Sequence, residues 1–271
     1  MYKFLTYFSI LCLCSFCVST VNSQIRTRIK FNHLSNEDGL SSSSIQAIIQ
    51  DKEGFIWFGT EDGLNRYDGY QFRVYKNNYQ VSPSLSDNFI NGLFIDGQDR
   101  LWISSSNGLN LYDPLKDNFL TYYFNATEVG NNIYALVEDQ AGKLWVSSNE
   151  GLFTHSKKEN KFKRYIPQNP EMKNWPKNEF GILFVDKQNR LWISTQQHGL
   201  LLKNSNGSIE SVEKTYPLLS SIRDAQVIRQ DQKGNIWIGT AGLGLFKVHF
   251  DSHKVSRYEH NPLDNKSLSS N

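Results

Sequence analysis

Cysteine is almost absent from this chain of 271 residues, which contains 3 of them. All three, Cys12, Cys14 and Cys17, lie near the N-terminus. The rest of the sequence offers no thiol. Disulfide bonds, cysteine-ligated metals and cysteine nucleophiles are therefore excluded there.

An excess of charge of either sign is also missing, because 29 Lys and Arg residues stand against 27 Asp and Glu residues. Such a balance provides no basic surface of the kind that binds nucleic acid or an anionic membrane. We therefore expect no nucleic-acid partner for this segment. A membrane contact is expected only through an uncleaved leader or through C-terminal parts beyond this sequence.

Long apolar runs are confined to the N-terminus, where residues 4–18 are almost wholly apolar behind the positive charge of Lys3. A run of about 15 residues is shorter than the roughly 20 that a membrane-spanning helix needs. The pattern predicts a signal peptide over residues 1–23, cleaved after Ser23, and export to the periplasm. A retained anchor and a lipidated Cys17 are the alternatives, the second being disfavoured by the bulky residue before that cysteine.

Tryptophan, in contrast, recurs with a regular spacing. Five Trp residues follow one another at intervals of 43 to 47 residues, which is the period of a β-propeller blade. An Asp precedes each of these Trp residues by six positions. The pairs are Asp51 and Trp57, Asp96 and Trp102, Asp139 and Trp145, Asp186 and Trp192, and Asp231 and Trp237. This register predicts five equivalent structural units.

The Asp of each pair is expected to hold a turn. Three residues after it stands Gly, Asp or Asn, and these residue types tolerate a left-handed backbone. An Asp side chain at such a position accepts hydrogen bonds from backbone N–H groups two residues on and fixes a hairpin. Calcium binding is the alternative, but each turn has too few carboxylates for the six to eight or so oxygen ligands of calcium. We therefore expect no metal and no cofactor.

Each repeat contains four stretches with the composition of β-strands. The Trp lies in the second stretch, within alternating segments such as Ile236-Trp237-Ile238, and a Gly-Leu pair opens the third. A single four-stranded sheet cannot bury both of its faces, so blades stack radially. The sequence predicts an all-β fold, a β-propeller of four-stranded blades with five complete repeats. The predicted blades span approximately residues 44–75, 89–122, 132–165, 179–212 and 224–258.

The two ends of the sequence match only parts of a blade. Residues 31–34, Phe-Asn-His-Leu, resemble a fourth strand, and they predict an unpaired N-terminal closing strand over 29–34. Residues 267–271 match residues 84–88, which precede an innermost strand, and they predict the start of a sixth repeat. We therefore expect 24–271 to be an incomplete propeller.

The repeat, written Asp-x-x-Gly-x-Ile/Leu-Trp and continued to Gly-Leu, resembles the regulator-propeller repeat of hybrid two-component sensors from glycan-degrading bacteria. The opening from Phe31 to Ser44 is similar to the usual start of their sensor region, and the resemblance covers nearly everything after residue 24. It implies a periplasmic sensor whose tandem propellers bind oligosaccharides, joined through an immunoglobulin-like domain and a membrane helix to a histidine kinase. Phosphotransfer is not carried over, because none of the 6 His residues lies in a helical dimerisation pattern. A dimer is expected only of a full-length parent.

A ligand is expected on the rim that carries the turns between second and third strands and the connections from fourth to first strands. Trp175 stands outside the repeat register in one such connection, where an aromatic ring can stack on a sugar. Gln196, Gln197 and His198 form the longest polar turn of that rim, and Tyr79 lies in the connection that leaves the first blade. We take these five as candidate ligand-binding residues. For Trp175 the alternative is packing within its own loop.

Two other classes of function stay open. The rim could bind a polypeptide, as in a protein-interaction scaffold. Propellers also include lyases and glycoside hydrolases, and hydrolysis would need a carboxylate pair about 5 to 10 Å apart. Glu61, Asp62 and Glu150 are the acids to consider, but other repeats place neutral residues there. No Gly-x-Ser-x-Gly or His-Glu-x-x-His motif occurs. We therefore expect no enzyme activity.

Overall fold

The computed structural model describes residues 31–80, 83–127, 130–156, 160–167, 180–223, 225–249 and 252–271. The chain divides into two compact units, Met1–His33 and Leu34–Asn271. The predicted signal peptide lies outside the described residues. Residues 29 and 30 of the predicted closing strand also lie outside the described residues. Residues 31–34, the rest of that predicted strand, belong to no strand in the structure. A closing strand at 29–34 therefore stays a prediction. No helix in the described part of the chain is long and apolar enough to cross a membrane.

The described part of the second unit contains twenty strands, β1 to β20, and each repeat supplies four of them. The first blade contains β1 (Ile45–Gln50), β2 (Ile56–Thr60), β3 (Gly63–Tyr67) and β4 (Phe72–Tyr75). The second contains β5 (Ile90–Ile95), β6 (Leu101–Ser105), β7 (Gly108–Asp113) and β8 (Asn118–Tyr122). The third contains β9 (Ile133–Glu138), β10 (Leu144–Ser148), β11 (Gly151–Ser156) and β12 (Lys161–Arg164). The fourth contains β13 (Phe180–Val185), β14 (Leu191–Thr195), β15 (Gly199–Lys203) and β16 (Ile209–Ser211), and the fifth contains β17 (Ala225–Gln230), β18 (Ile236–Thr240), β19 (Leu245–His249) and β20 (Lys254–Tyr258).

Each blade is an antiparallel sheet whose strands pair in chain order. In the first blade, Trp57 of β2 pairs with Ile49 of β1 and with Arg66 of β3. The first strands of consecutive blades contact each other, β1 with β5, β5 with β9, β9 with β13 and β13 with β17. The predicted all-β propeller with five four-stranded blades is therefore confirmed. One detail differs, because β16 ends at Ser211 and Val212 begins a 3₁₀ turn, Val212–Lys214, that buries its side chain.

Among the residues that the structure describes, the core lies between the blades in four separate apolar clusters. In each cluster the Trp of one blade packs against the two residues that flank the Trp of the next blade. Trp57, for example, lies with Leu101 and Ile103, and Trp192 lies with Ile236 and Ile238. The first four Trp residues of the repeat are at most 1% exposed. The Trp spacing of the sequence is thus the spacing of the blade interfaces.

The outer faces of the first and fifth blades lack such a neighbour among the described residues. Ile48 in β1 is 61% exposed, whereas its counterpart Ile228 is fully buried. At the other end Tyr258 is 43% exposed, its counterpart Tyr75 is 9% exposed, and Trp237 is only partly buried. The five blades therefore form an incomplete propeller, as the sequence predicts.

The segment 259–271 reproduces the hydrogen bonds of the connection 76–88. The Asn77 N–H donates to Asn88 Oδ1 at 2.7 Å, and the His260 N–H donates to Asn271 Oδ1 at 2.5 Å. Likewise, the backbone N–H of the next residue in each segment donates to a Ser hydroxyl six positions further on. Residues 259–271 thus have the local conformation that leads into β5 in the earlier repeat. The sixth repeat predicted from residue 267 onward stays a prediction.

The repeat Asp binds its own Trp as well as its turn. In the second blade, Asp96 Oδ1 accepts the N–H groups of Gln98 and Arg100, and Asp96 Oδ2 accepts the indole N–H of Trp102 at 2.8 Å. All five Trp residues donate to their Asp in this way, at 2.6 to 3.1 Å. A buried indole N–H without an acceptor would be costly, so the six-residue spacing serves the core and the turn together.

Gly63, which opens β3, allows a test of this turn geometry. Its φ of +121° is in the left-handed region, and an added Cβ would lie 2.7 Å from the carbonyl oxygen of Tyr75. Because that oxygen belongs to the backbone, Gly63→Ala is expected to lower the free energy of unfolding by about 2–3 kcal/mol. Gly69 also has positive φ but nothing within 4 Å, so Gly69→Ala is expected to cost about 1 kcal/mol. Urea unfolding followed by circular dichroism measures both, and equal losses would contradict the steric argument.

Candidate ligand-binding site

One edge of the blades, here called the turn rim, carries the turns between second and third strands and the connections from fourth to first strands. The Asp turns lie at the opposite edge, because neighbouring strands are antiparallel. On the turn rim a Thr or Ser hydroxyl at the end of each second strand donates to the carbonyl of the Gly that opens the third strand, or directly precedes it in the fifth blade, at 2.7 to 3.3 Å. These pairs are Thr60 and Gly63, Ser105 and Gly108, Ser148 and Gly151, Thr195 and Gly199, and Thr240 and Gly244. The turns of this rim are therefore held in place.

A cavity of about 250 Å³, here called the inner cavity, opens on the turn rim beside the innermost strands of the third, fourth and fifth blades. Its polar lining comprises Tyr134, Ser194, Gln196, Arg223 and Gln226. Tyr134 is 40% exposed, so much of its ring is accessible. The inner cavity thus combines an aromatic surface with several hydrogen-bonding side chains.

The inner cavity exists because of one glycine. The second residue of each first strand stands five positions before the repeat Asp and lies at the turn-rim end of its strand. These residues are Gln46, Asn91, Tyr134, Gly181 and Gln226. Gly181 lies between Tyr134 and Gln226 in this series and leaves the space that a side chain would fill, since an added Cβ would meet nothing closer than Ser194 Oγ at 3.5 Å.

A second cavity of about 330 Å³, here called the outer cavity, lies on the other side of the turn at residues 196–198. Gln197, His198, Glu213 and Lys214 contribute its polar lining together with Arg223. Arg223 therefore lines both cavities. A ligand longer than one sugar ring could occupy both and cross beside this guanidinium.

Arg223 is held in place by its backbone surroundings. Its Nη1 donates to the carbonyl oxygens of Ser220 at 2.5 Å and Ile222 at 3.2 Å. The connection that carries it packs onto the blades through Leu219 and Ile222, each 1% exposed. Burial also raises the pKa of the Tyr216 phenol in this connection, which keeps it neutral. The position of Arg223 is thus fixed by the core beneath it.

Three of the five candidate ligand-binding residues predicted from the sequence line the two cavities. Gln196 lines the inner cavity, and Gln197 and His198 line the outer cavity. Tyr79 is 94% exposed and lines neither. Trp175 lies outside the described residues.

The three acids considered for catalysis, Glu61, Asp62 and Glu150, each interact with a different side chain. Asp62 forms an ion pair with Lys76 at 2.6 Å. Glu61 accepts a hydrogen bond from Gln46, and Glu150 accepts one from Asn125. The described residues also contain no group of three or more His, Cys, Asp or Glu side chains that could hold a metal.

Sequence reasoning missed Tyr134, Arg223 and Gln226. Tyr134 and Gln226 occur within strand patterns, where a polar or aromatic residue is unremarkable. The signal that could have found them is the repeat register itself, since both occupy the position five before an Asp. Arg223 had no such signal, because it lies in a connection between blades and not at a repeated strand position.

The model of the two component regulator propeller family matches residues 39–62, 84–107, 127–150 and 220–242. These segments contain the Asp and Trp pairs of the first, second, third and fifth blades. Over 72 residues the chain is also 43% identical to Histidine kinase P4 of Formosa agariphila, a match that covers 27% of this chain and 5% of that kinase. The chain thus spans a small part of the length of this relative.

Among solved structures, the chain is similar to the extracellular domain of a hybrid two component system from B. thetaiotaomicron. The identity is 26% and the TM-score 0.70, over 84% of this chain and 32% of that one. The chain also resembles a catalytically inactive virginiamycin B lyase from Staphylococcus aureus, with 13% identity and a TM-score of 0.61 over 87% of this chain and 75% of the lyase. The second likeness concerns the fold alone.

Proposed function

We propose that this chain, four segments of which match the model of the two component regulator propeller family, is a ligand-sensing segment of a two-component signal transduction sensor. It is exported to the periplasm by its N-terminal leader, has no catalytic role of its own, and recognises an oligosaccharide. The similarity to an extracellular domain of a hybrid two component system, over 84% of the chain, supports the sensor role. Kinase activity is a property of the relative that the chain matches over only 5% of its length.

The observation that carries the ligand-binding proposal is the pair of cavities that share Arg223 on the turn rim. Ligand sites are concave and combine apolar surface with a few fixed polar groups. The inner cavity provides the ring of Tyr134 for one face of a sugar, and Gln196 and Gln226 lie beside it. The turn that carries Gln196 is fixed by the Thr195 hydroxyl, so this lining is positioned before a ligand arrives.

The test is a panel of oligosaccharides, screened by thermal shift and then titrated by calorimetry against the chain. At least one oligosaccharide is expected to bind, and Tyr134→Ala is expected to weaken that binding at least ~10-fold through loss of the stacking surface. Tyr79→Ala is the matched control, because Tyr79 is a fully accessible aromatic residue that lines neither cavity. Tyr79→Ala should leave the affinity unchanged.

Two results would oppose the proposal. One is equal weakening by Tyr134→Ala and Tyr79→Ala, which would place the ligand elsewhere. The other is the absence of any response to oligosaccharides together with saturable binding of a protein partner, which would favour the protein-interaction scaffold.

A further inference from the structure

We propose that the ligand of the two cavities is an acidic oligosaccharide whose carboxylate or sulfate group binds Arg223 where the cavities meet. This inference rests on the proposed function, since it specifies the chemical class of the oligosaccharide. Its basis is the charge distribution of the lining and the orientation of one guanidinium.

The inner cavity contains a cation without a carboxylate among its described lining residues. Apart from Arg223, its lining consists of apolar, hydroxyl and amide side chains together with Tyr134. Arginine stays protonated at all physiological pH values. A neutral sugar would leave this charge uncompensated on binding, whereas an anionic group would neutralise it as water is displaced.

The guanidinium presents its remaining donors as a fixed fork. Nη1 is bound to the carbonyl oxygens of Ser220 and Ile222. Nε and Nη2 have no partner within the part of the chain that the structure describes. A planar guanidinium with adjacent donors binds carboxylate or sulfate oxygens in a bidentate manner, with a strength that a Lys ammonium does not match.

The neighbouring backbone is adapted to this Arg. Gly199 has a φ of +69°, and an added Cβ would lie 2.9 Å from Arg223 Nη1. At the equivalent Gly63 and Gly244 the nearest atom is a backbone oxygen of the same blade, from Tyr75 and Tyr258. At Gly199 the nearest atom is instead a guanidinium nitrogen, whereas at Gly63 the cationic side chain of Lys76 lies further away, with its Cγ at 3.2 Å.

The two cavities then bind different parts of one linear ligand. An acidic sugar occupies the inner cavity with its ring against Tyr134 and its acid group at Arg223. The next sugar lies in the outer cavity, whose lining carries one acid and one base, Glu213 and Lys214, beside Arg223. The fold thus selects charge at one position and tolerates neutral sugars beside it.

The experiment compares matched ligand pairs by calorimetry. One pair is a uronate-containing oligosaccharide and its carboxyl-reduced form, and the other is a sulfated oligosaccharide and its desulfated form. The chain is expected to bind the charged member of at least one pair roughly 10-fold to 100-fold more tightly than the neutral member, in line with charge-assisted bidentate pairing. The pair that shows the preference identifies the acid group.

Substitutions then assign the preference to one residue. Arg223→Gln is expected to bring the affinity for the charged member down to that for the neutral member, and Arg223→Lys to retain part of the preference. Arg229→Gln is the matched control. Arg229, in β17, is likewise exposed and donates to a backbone carbonyl, that of Ile228, at 2.8 Å. Unlike Arg223, it lines neither the inner nor the outer cavity.

The outcomes separate this inference from the proposed function. Equal affinity for charged and neutral members, with no effect of Arg223→Gln, overturns the acidic-ligand inference while oligosaccharide sensing stands. A charge preference that Arg229→Gln abolishes as fully as Arg223→Gln also overturns it. Failure of every oligosaccharide to bind the folded chain overturns both.

Discussion

Trp192→Ala is expected to lower the free energy of unfolding by about 3–5 kcal/mol, whereas Trp237→Ala is expected to lower it by about 1–2 kcal/mol. Both residues occupy the same position of the repeat and both donate an indole N–H to their Asp. Trp192 is fully buried between the fourth and fifth blades, against Ile236 and Ile238. Trp237 lies on the face of the fifth blade that has no neighbouring blade among the described residues.

The difference has two physical sources. Removing the Trp192 side chain leaves a cavity between packed sheets that cannot collapse fully, and the lost contacts include both blades. It also leaves the carboxylate of Asp186, which is 2% exposed, without the indole donor. At Trp237 part of the ring is already in contact with water, so its removal exposes less new apolar surface.

Urea unfolding followed by far-ultraviolet circular dichroism measures both losses without depending on Trp fluorescence. Trp192→Phe keeps most of the apolar volume and serves as a milder variant if Trp192→Ala does not fold. It is expected to cost about 1–3 kcal/mol, because the hydrogen bond to Asp186 is lost. Similar losses for Trp192→Ala and Trp237→Ala would show that the fifth blade is covered as completely as the others.

The blade architecture could be predicted from sequence because the repeat is also the unit of packing. The interval between one Trp and the next is one blade, and the Asp six positions earlier marks the hairpin that starts the second strand. Five copies in register leave little freedom in assigning strands. The sequence does not reveal the hydrogen bond between Asp and Trp, because the turn alone is enough to explain Asp51 and its counterparts.

The candidate site was harder to predict, because its lining comes from three different blades and depends on how these blades pack side by side. Gly181 creates space only when Tyr134 and Gln226 of the neighbouring blades stand on either side of it. Gln196 and Gln197 are adjacent in sequence, yet they line different cavities. Local patterns contain no information about such relations between blades. The register position five before the Asp would have been informative once the radial arrangement was known.

Asp96→Asn is expected to lower the free energy of unfolding by about 3 kcal/mol at pH 7, because it breaks a buried charge pair. Asp96 is 3% exposed, and its Oδ2 lies 2.7 Å from Arg100 Nε and 2.8 Å from Trp102 Nε1. An Asn side chain would keep an oxygen acceptor but would lose the negative charge that faces Arg100. The guanidinium would then remain partly buried without a counterion.

The same carboxylate predicts a loss of stability in acid. Burial on its own would raise the pKa of Asp96, but hydrogen bonds from Arg100 and Trp102 outweigh burial and hold that pKa below its ordinary value. Hydrogen bonding by Asn235 likewise lowers the pKa of Asp231. A carboxylate with a lowered folded-state pKa stabilises the fold above its unfolded pKa of about 3.9, and this contribution disappears as the pH falls through the folded-state pKa.

Unfolding by urea at pH 7, 4 and 3 tests both parts of this prediction. The wild-type chain is expected to lose stability below about pH 4, and the deficit of Asp96→Asn should narrow there because the unfolded wild-type chain takes up a proton at Asp96 before the folded chain does. Asp51→Asn is the matched control, since Asp51 also bonds its Trp but has Phe55 where Asp96 has Arg100. It is expected to cost about 1 kcal/mol at pH 7. A deficit for Asp96→Asn that is no larger than that of Asp51→Asn, or that does not change with pH, would show that the buried ion pair does not stabilise the second blade.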